Sequence, residues 1–247
     1  MRSDENKLEG RNPVIEAFRA GRVIDKLYVV SGSHDGPIKT IIREAAKAKV
    51  PVEYVSKERM DKMSSSGMHQ GVIALCSVCE YSTVDDILNA ARDKGEDPFI
   101  FILDGIEDPH NVGAIIRTAN LCGAHGVIIP KNRAASLTAA AARAAAGALN
   151  YTPVAKVTNI SRTIEDLKQK GIWFVCADMD GELMYDLDLS GPIGLVIGSE
   201  GSGVSRIVAE HCDFKASIPM KGDIDSLNAS VAAGVLAYEI FRRRIKA

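Results

Sequence analysis

The sequence lacks an excess of either charge. In 247 residues, 30 Lys and Arg stand against 32 Asp and Glu, for a formal net charge of −2. That argues against a protein that grips nucleic acid by bulk electrostatics, which normally shows a marked basic excess. Long apolar runs are also missing. Stretches such as Phe99–Leu103 and Gly194–Gly198 fall far short of the ~18 residues that suggest a membrane span. The segment Met1–Glu9 is too polar for a secretory leader, so no membrane partner is expected. Cysteine is scarce and odd in number, at five. Cys76, Cys122, Cys176 and Cys212 lie in or beside apolar segments, which reads as reduced, buried thiols of a cytosolic protein. Cys76 and Cys79 form a C-x-x-C, but no second pair and no nearby histidine completes a site, so neither a metal nor redox chemistry is expected. Two nucleotide fingerprints are absent as well. Gly198, Gly201 and Gly203 do not have Rossmann spacing, and there is no G-x-x-x-x-G-K-[ST].

What remains is an ordinary globular composition, 46% hydrophobic and 25% charged, in a chain long enough to bury a core without disulfides. The charge is unevenly spread. Residues 1–77 carry 13 basic and 10 acidic side chains, residues 78–98 carry 2 and 6, and residues 99–247 carry 15 and 16. The acidic stretch 78–98 is read as a linker, with a short helix Val84–Ala91 capped by Thr83. Before it, helical patterns at Val14–Ala20 and Ile38–Ala48 alternate with strand patterns at Lys26–Ser31, Val52–Val55 and Val72–Cys76. This predicts a small α/β domain. Lys62–Gln70, rich in Ser, Gly and Met, reads as a mobile loop.

After the linker, strands are expected at Phe99–Leu103, Gly126–Ile129, Ile172–Cys176, Gly194–Ile197 and Phe214–Ile218. Helices are expected at Val112–Cys122, Ala134–Leu149, Ile160–Lys170, Val204–Glu210 and Leu227–Arg243. Nearly all-apolar strands separated by helices imply a parallel sheet covered on both faces. Ligands of such sheets sit beyond the carboxyl ends of the strands. Three loops there concentrate glycine, acids and amides: Asp104–Gly113, Gly198–Gly203 and Pro219–Asn228. The glycine cluster fits either a ligand loop or a tight turn into the next helix. Asn111 suits the N-cap of the helix Val112–Cys122. Arg117, in that otherwise apolar helix, is either a snorkelling side chain or a fork for phosphate oxygens. The last helix, with Ala229, Ser230, Ala232, Ala233, Gly234 and Ala237, allows close backbone packing.

Taken together, the loops resemble the three motifs of the SpoU (TrmH-like) family of RNA ribose 2′-O-methyltransferases. The first runs Asn111-Val112-Gly113-Ala114-Ile115-Ile116-Arg117-Thr118-Ala119. The second runs Leu195-Val196-Ile197-Gly198-Ser199-Glu200-Gly201-Ser202-Gly203. The third runs Ile218-Pro219-Met220, then Ser226-Leu227-Asn228-Ala229-Ser230-Val231-Ala232. Leu8-Glu9-Gly10-Arg11-Asn12-Pro13-Val14 and His69-Gln70-Gly71-Val72 resemble the L30e-like substrate-binding domain of one branch, which methylates a guanosine of 23S rRNA. The resemblance implies three segments: an L30e-like α/β domain at 1–77, the linker at 78–98, and at 99–247 an α/β catalytic domain with a deep trefoil knot. It also implies S-adenosylmethionine as cofactor, RNA as substrate and a homodimer formed through the catalytic domain. Carried over by motif, the catalytic residues are Arg117, Asn111, Glu200, Ser226 and Asn228. The cofactor contacts are Gly198, Ile218, Leu227, Ile197, Ser199, Met220, Ser226 and Asn228. RNA would meet Arg11, Arg19, Arg22 and Arg117. Two other readings stay open: a tRNA or resistance-type rRNA methyltransferase, and a non-catalytic RNA-binding assembly factor of the same fold.

Overall fold

A computed structural model of the chain describes residues 6–33, 35–132, 134–223 and 226–245. Within the third loop, Ile224 and Asp225 lie outside the described residues, as does the start of the polar N-terminal segment. The chain divides into two units, one of Met1–Glu80 with Ser136–Ala139, the other of Tyr81–Ala135 with Ala140–Ala247.

The first unit runs β1 (Lys7–Glu9), α1 (Arg11–Arg19), β2 (Ile24–Val30), α2 (Gly36–Lys47), β3 (Val52–Val55), α3 (Lys57–Met63) and β4 (Val72–Cys76). Its sheet has the order β1-β4-β2-β3, with β2 and β3 parallel and β4 antiparallel to both its neighbours. Helix α2 starts where the Asp35 carboxylate accepts the Ile38 N–H and Pro37 fits the first turn. Its apolar stripe buries Ile38, Ile41 and Ala45 against Leu27, Val29 and Ala74. The segment expected to be a mobile loop is instead tied down. Helix α3 covers Lys57–Met63, and after it the Glu9 carboxylate accepts the Ser64 hydroxyl at 2.6 Å, the Ser65 amide at 2.7 Å and both the amide and hydroxyl of Ser66. Burial alone would raise the Glu9 carboxyl. The bonds from Ser64, Ser65 and Ser66 outweigh it and hold the group well below the usual carboxylate range. Composition marked these residues as loop, but it could not show a distant acid organising them.

The second unit runs α4 (Val84–Lys94), β5 (Phe99–Asp104), α5 (Pro109–Leu121), β6 (Gly126–Pro130), α6 (Ala139–Ala145), β7 (Val154–Val157), α7 (Ile160–Lys168), β8 (Trp173–Leu183), β9 (Ile193–Gly198), α8 (Arg206–His211), β10 (Phe214–Ser217) and α9 (Ala229–Arg244). Its six-stranded sheet has the order β10-β8-β9-β5-β6-β7, and its pairings are parallel. Strands β5, β6 and β9 are buried almost throughout. The acidic segment read as a linker is largely helix α4. Thr83 and Asp86 form a capping box there, and Ile87 and Ala91 are buried in this unit. Gly126 is needed for that packing, because a Cβ there would lie 2.4 Å from Ile87 Cγ1.

Three further expectations shift. The helix expected at Ala134–Leu149 is only Ala139–Ala145, because Ala146 and Gly147 turn to positive φ and end it. Strand β7 was not foreseen, its short Val-Ala-Lys-Val pattern being too brief to read. Strand β8 runs on past Cys176 to Leu183, with a large irregularity. Its partner β10 pairs Lys215 with Cys176 and then Ala216 with Glu182, so residues 177–181 bulge out of register. Among the described residues, no helix is long and apolar enough to cross a membrane.

Candidate functional site

Strands β5 and β9 lie side by side at the centre of the second sheet. From β5 the chain continues towards β6, and from β9 it continues through α8 to β10 on the opposite side. Such a switch point leaves a crevice beyond the strand ends. The loops after β5 and β9 meet there. The Asp104 carboxylate accepts the Ser205 N–H at 2.8 Å and so fixes the entry into α8.

Helix α5 does not start at Asn111 as expected. Asp108 is its N-cap, accepting the His110 N–H at 2.9 Å, and Pro109 occupies the first position. Asn111 is therefore inside the first turn, with its side chain free for other work, and it is buried to 8% exposure. Its amide donates to Glu200 Oε1 at 3.0 Å. Asn228 Nδ2 donates to Asn111 Oδ1 at 3.1 Å and to the same Glu200 oxygen. Asn228 is also the N-cap of α9, its Oδ1 accepting from the Ser230 hydroxyl at 2.6 Å and the Ser230 amide at 2.9 Å. Three residues from three separate loops thus share one hydrogen-bonded cluster, which locks the starts of two helices and the β9 loop together.

The β9 loop is tight. Ser199 and Gly203 exchange backbone hydrogen bonds at 3.1 and 2.9 Å, and the Ser199 and Ser202 hydroxyls bond at 2.6 Å. Gly198 permits this, since a Cβ there would lie 1.9 Å from the Gly203 carbonyl carbon and 2.1 Å from Val204 N. Gly113 plays a similar part in α5, where a Cβ would lie 2.3 Å from the Ala141 carbonyl oxygen of α6.

Beside the cluster opens a cavity of about 520 Å³. Of the residues named from sequence, Ile197, Gly198, Ser199, Glu200, Ile218, Met220, Ser226 and Leu227 line it. Asn111 and Asn228 reach it through Glu200. Arg117 does not join the cluster. It is exposed on α5 and makes no hydrogen bond or ion pair with another described residue. In the first unit, Arg11 donates to Asp35 at 2.6 Å and to the Gln70 carbonyl at 3.1 Å. It therefore ties the two N-terminal motifs together, and Gly10 N bonds Val72 O across the same seam. Arg19 pairs with Glu16 at the surface, and Arg22 is exposed. The terminal arginines are engaged: Arg242 and Arg243 bond the buried Glu239, and Arg244 bonds the Gly191 carbonyl at 2.8 Å.

Sequence reasoning missed one wall of the cavity, formed by Ala177, Asp178 and Met179 in the β8 bulge. A signal was present. Asp178-Met179-Asp180-Gly181 breaks an apolar strand next to β9, and the rule applied to the other strand ends points there too.

The parallel sheet, the crevice at its switch point and the amide–carboxylate cluster beside a cavity define an α/β domain built to bind a small ligand, joined to a smaller α/β unit. The comparisons make this specific. Residues 98–238 match the SpoU rRNA Methylase family, and residues 7–82 match the family described as RNA 2′-O ribose methyltransferase substrate binding. YacO of Bacillus subtilis (strain 168), named a TrmH family tRNA/rRNA methyltransferase, is 45% identical over 99% of this chain and 98% of its own length. The SpoU methyltransferase AviRb from Streptomyces viridochromogenes, solved in complex with the cofactor AdoMet, aligns with a TM-score of 0.61 at 25% identity, covering 98% of this chain and 91% of its own. An AdoMet-bound rRNA methyltransferase from Sinorhizobium meliloti aligns with a TM-score of 0.59 at 25% identity, covering 96% and 86%. The chain belongs to the SpoU methylase family. It is an RNA methyltransferase of the TrmH/SpoU type, with an N-terminal substrate-binding domain and a C-terminal methylase domain.

Proposed function

We propose that the chain methylates the ribose 2′-hydroxyl of a guanosine in 23S rRNA, with S-adenosylmethionine as methyl donor. The observation that carries the reading is the Asn111–Glu200–Asn228 cluster at the rim of the cavity. A cavity of about 520 Å³ with mostly apolar walls is the size of a small-molecule site. The absence of a side chain at Gly198 brings loop backbone to the cavity wall, which suits an adenosyl ligand held by backbone groups. The residues present therefore fit this cofactor. Ile197, Gly198, Ser199, Ile218, Met220, Ser226, Leu227 and Asn228 would hold it. When bound, it supplies a methyl group already activated as a sulfonium.

The chain's own task is to align the 2′-oxygen in line with that methyl group and to let the hydroxyl proton leave as the new C–O bond forms and the C–S bond breaks. A guanidinium stays protonated in proteins, so Arg117 acts as a fork on an RNA phosphate and stabilises negative charge growing on the 2′-oxygen. The proton passes to water or phosphate. Asn111 and Asn228 hold Glu200, and with Ser226 they set the position of the ribose beside the methyl. Arg11, Arg19 and Arg22 contribute phosphate contacts from the first unit. The exposed apolar side chains Val231 and Tyr238 on α9 and Leu121 on α5 support a homodimer formed through the methylase domain. The match of an rRNA methyltransferase along both units favours rRNA over tRNA.

Mapping ribose methylation on 23S rRNA and tRNA from cells with and without the protein tests this. A single guanosine of 23S rRNA should lose its 2′-O-methyl group when the protein is absent. Loss confined to tRNA, or no loss anywhere, would overturn the assignment.

A further inference from the structure

Among the described residues that line the cavity, two carry charge, Asp178 and Glu200. Glu200 is taken up by the amides of Asn111 and Asn228. Asp178 lines the cavity from β8, the strand next to β9 in the sheet. Its carboxylate is fixed. Lys215 Nζ donates to Oδ2 at 2.7 Å, and the Asp180 N–H donates to Oδ1 at 3.0 Å. The hydrogen bond from Lys215 holds the carboxyl below its usual range, so it stays ionised. Each oxygen still has acceptor capacity left.

Taking the cavity as the S-adenosylmethionine site, three ligand groups could donate to this carboxylate: the adenine amino group, the ribose diol and the α-ammonium. Flat adenine suits backbone groups and apolar walls of the kind provided by Gly198, Ile218 and Leu227. An α-ammonium would bring a second cation beside Lys215 and would carry its own carboxylate towards Asp178. Both contacts are repulsive. A diol brings neither. An acid already neutralised by a lysine is matched to neutral hydroxyl donors, and its two oxygens match two vicinal hydroxyls. We propose that Asp178 is a cofactor-positioning residue that accepts hydrogen bonds from the ribose diol of S-adenosylmethionine, with Lys215 holding it in place.

The test is titration calorimetry on the full chain with four ligands: S-adenosylhomocysteine, its 2′-deoxy and 3′-deoxy forms, and 5′-methylthioadenosine, which keeps the diol but lacks the amino-acid end. Asp178→Ala should weaken S-adenosylhomocysteine and 5′-methylthioadenosine by the same factor, about tenfold. The deoxy ligands should bind the wild type more weakly and lose little more in the variant. If Asp178→Ala unfolds the bulge, Asp178→Asn carries the same comparison, with a smaller factor of about threefold. Equal weakening of native and deoxy ligands would mean a merely structural role and overturn the assignment. Weakening of S-adenosylhomocysteine alone would assign the contact to the α-ammonium instead, and unchanged affinities would also end it. A wild-type chain that binds none of the four overturns the reading of the cavity itself, and this contact with it.

Discussion

Adding one methyl group at Gly198 should be enough to dismantle the loop after β9. A Cβ there would sit 1.9 Å from the Gly203 carbonyl carbon and 2.1 Å from both Gly203 O and Val204 N. These are backbone atoms, so no side chain can swing away. Restoring ordinary contact means moving the Gly203–Val204 backbone by about 1.5 Å, given close carbon contacts near 3.5 Å. That movement strains the two Ser199–Gly203 backbone hydrogen bonds, each worth about 1 kcal/mol. Overpacking adds about 1–3 kcal/mol. The reduced entropy of an unfolded alanine chain returns less than about 1 kcal/mol. Gly198→Ala should therefore cost about 2–4 kcal/mol and lower Tm by roughly 5–15 °C for a chain of this size. The domain stays folded, because total stabilities run to about 5–15 kcal/mol. S-adenosylhomocysteine affinity should fall at least about 100-fold, since the displaced loop is a wall of the cavity. Gly222→Ala is the matched control. Gly222 has nothing within 4 Å of a Cβ position and no positive φ, so its substitution should change stability by less than about 0.5 kcal/mol. Calorimetry for the ligand and differential scanning calorimetry for Tm read both effects. If Gly198→Ala binds like the wild type with Tm unchanged, the close backbone crossing does not build the site.

Other substitutions probe the rest of the architecture. Asn111→Asp would place a second carboxylate about 3 Å from Glu200 Oε1, so methylation should fall more at pH 8 than at pH 6, where one proton can be shared. A pH-independent loss would contradict this. Arg117→Ala should leave Tm unchanged, because the side chain is exposed and unbonded to described residues. It should also leave S-adenosylhomocysteine affinity unchanged and cut methyl transfer by about 100-fold or more. A shifted Tm would show a structural role instead. Arg242, and then Arg243, hold the Glu239 carboxyl down from 4.5 to about 2. Its stabilising effect is therefore complete above pH 4.5 and fades as pH falls towards 2. Glu239→Gln should cost about 1.5–3 kcal/mol at pH 7, and melting curves of variant and wild type should converge only as pH falls to about 2. A constant gap would refute the ion-pair account.

Much of the methylase sheet was legible because its strands are short, apolar and buried on both faces, which is the pattern least confused with anything else. The cluster residues were legible only as motifs. Nothing in the order Asn111, Glu200, Asn228 says that three loops meet, since their separations in sequence are set by intervening helices. The helix start was misplaced because Asn111 and Asp108 are both good caps, and only Pro109 breaks the tie. The acidic segment misled for a related reason. Its charges lie on the solvent side of α4, so composition reported the exposed face while Ile87 and Ala91 reported the buried one. Asp178 was missed, although the strand-end rule points to it, because a strand that leaves and rejoins its register looks, in sequence, like a strand that has ended.

That out-of-register stretch of β8 has a mechanical meaning. Residues 177–181 have no counterpart on β10, and Gly181 marks the place where the chain comes back, its missing side chain making room for Lys215 and Ala216 backbone. Insertions or deletions inside a central strand normally flip every residue beyond them to the wrong face. Here the slack between Cys176 and Gly181 lies outside the ladder, so the pairings on either side of it, Lys215 with Cys176 and Ala216 with Glu182, do not depend on its course. The stretch of pocket wall that carries Asp178 is thus hung on the sheet by the Lys215 and Asp180 hydrogen bonds rather than woven into its ladder.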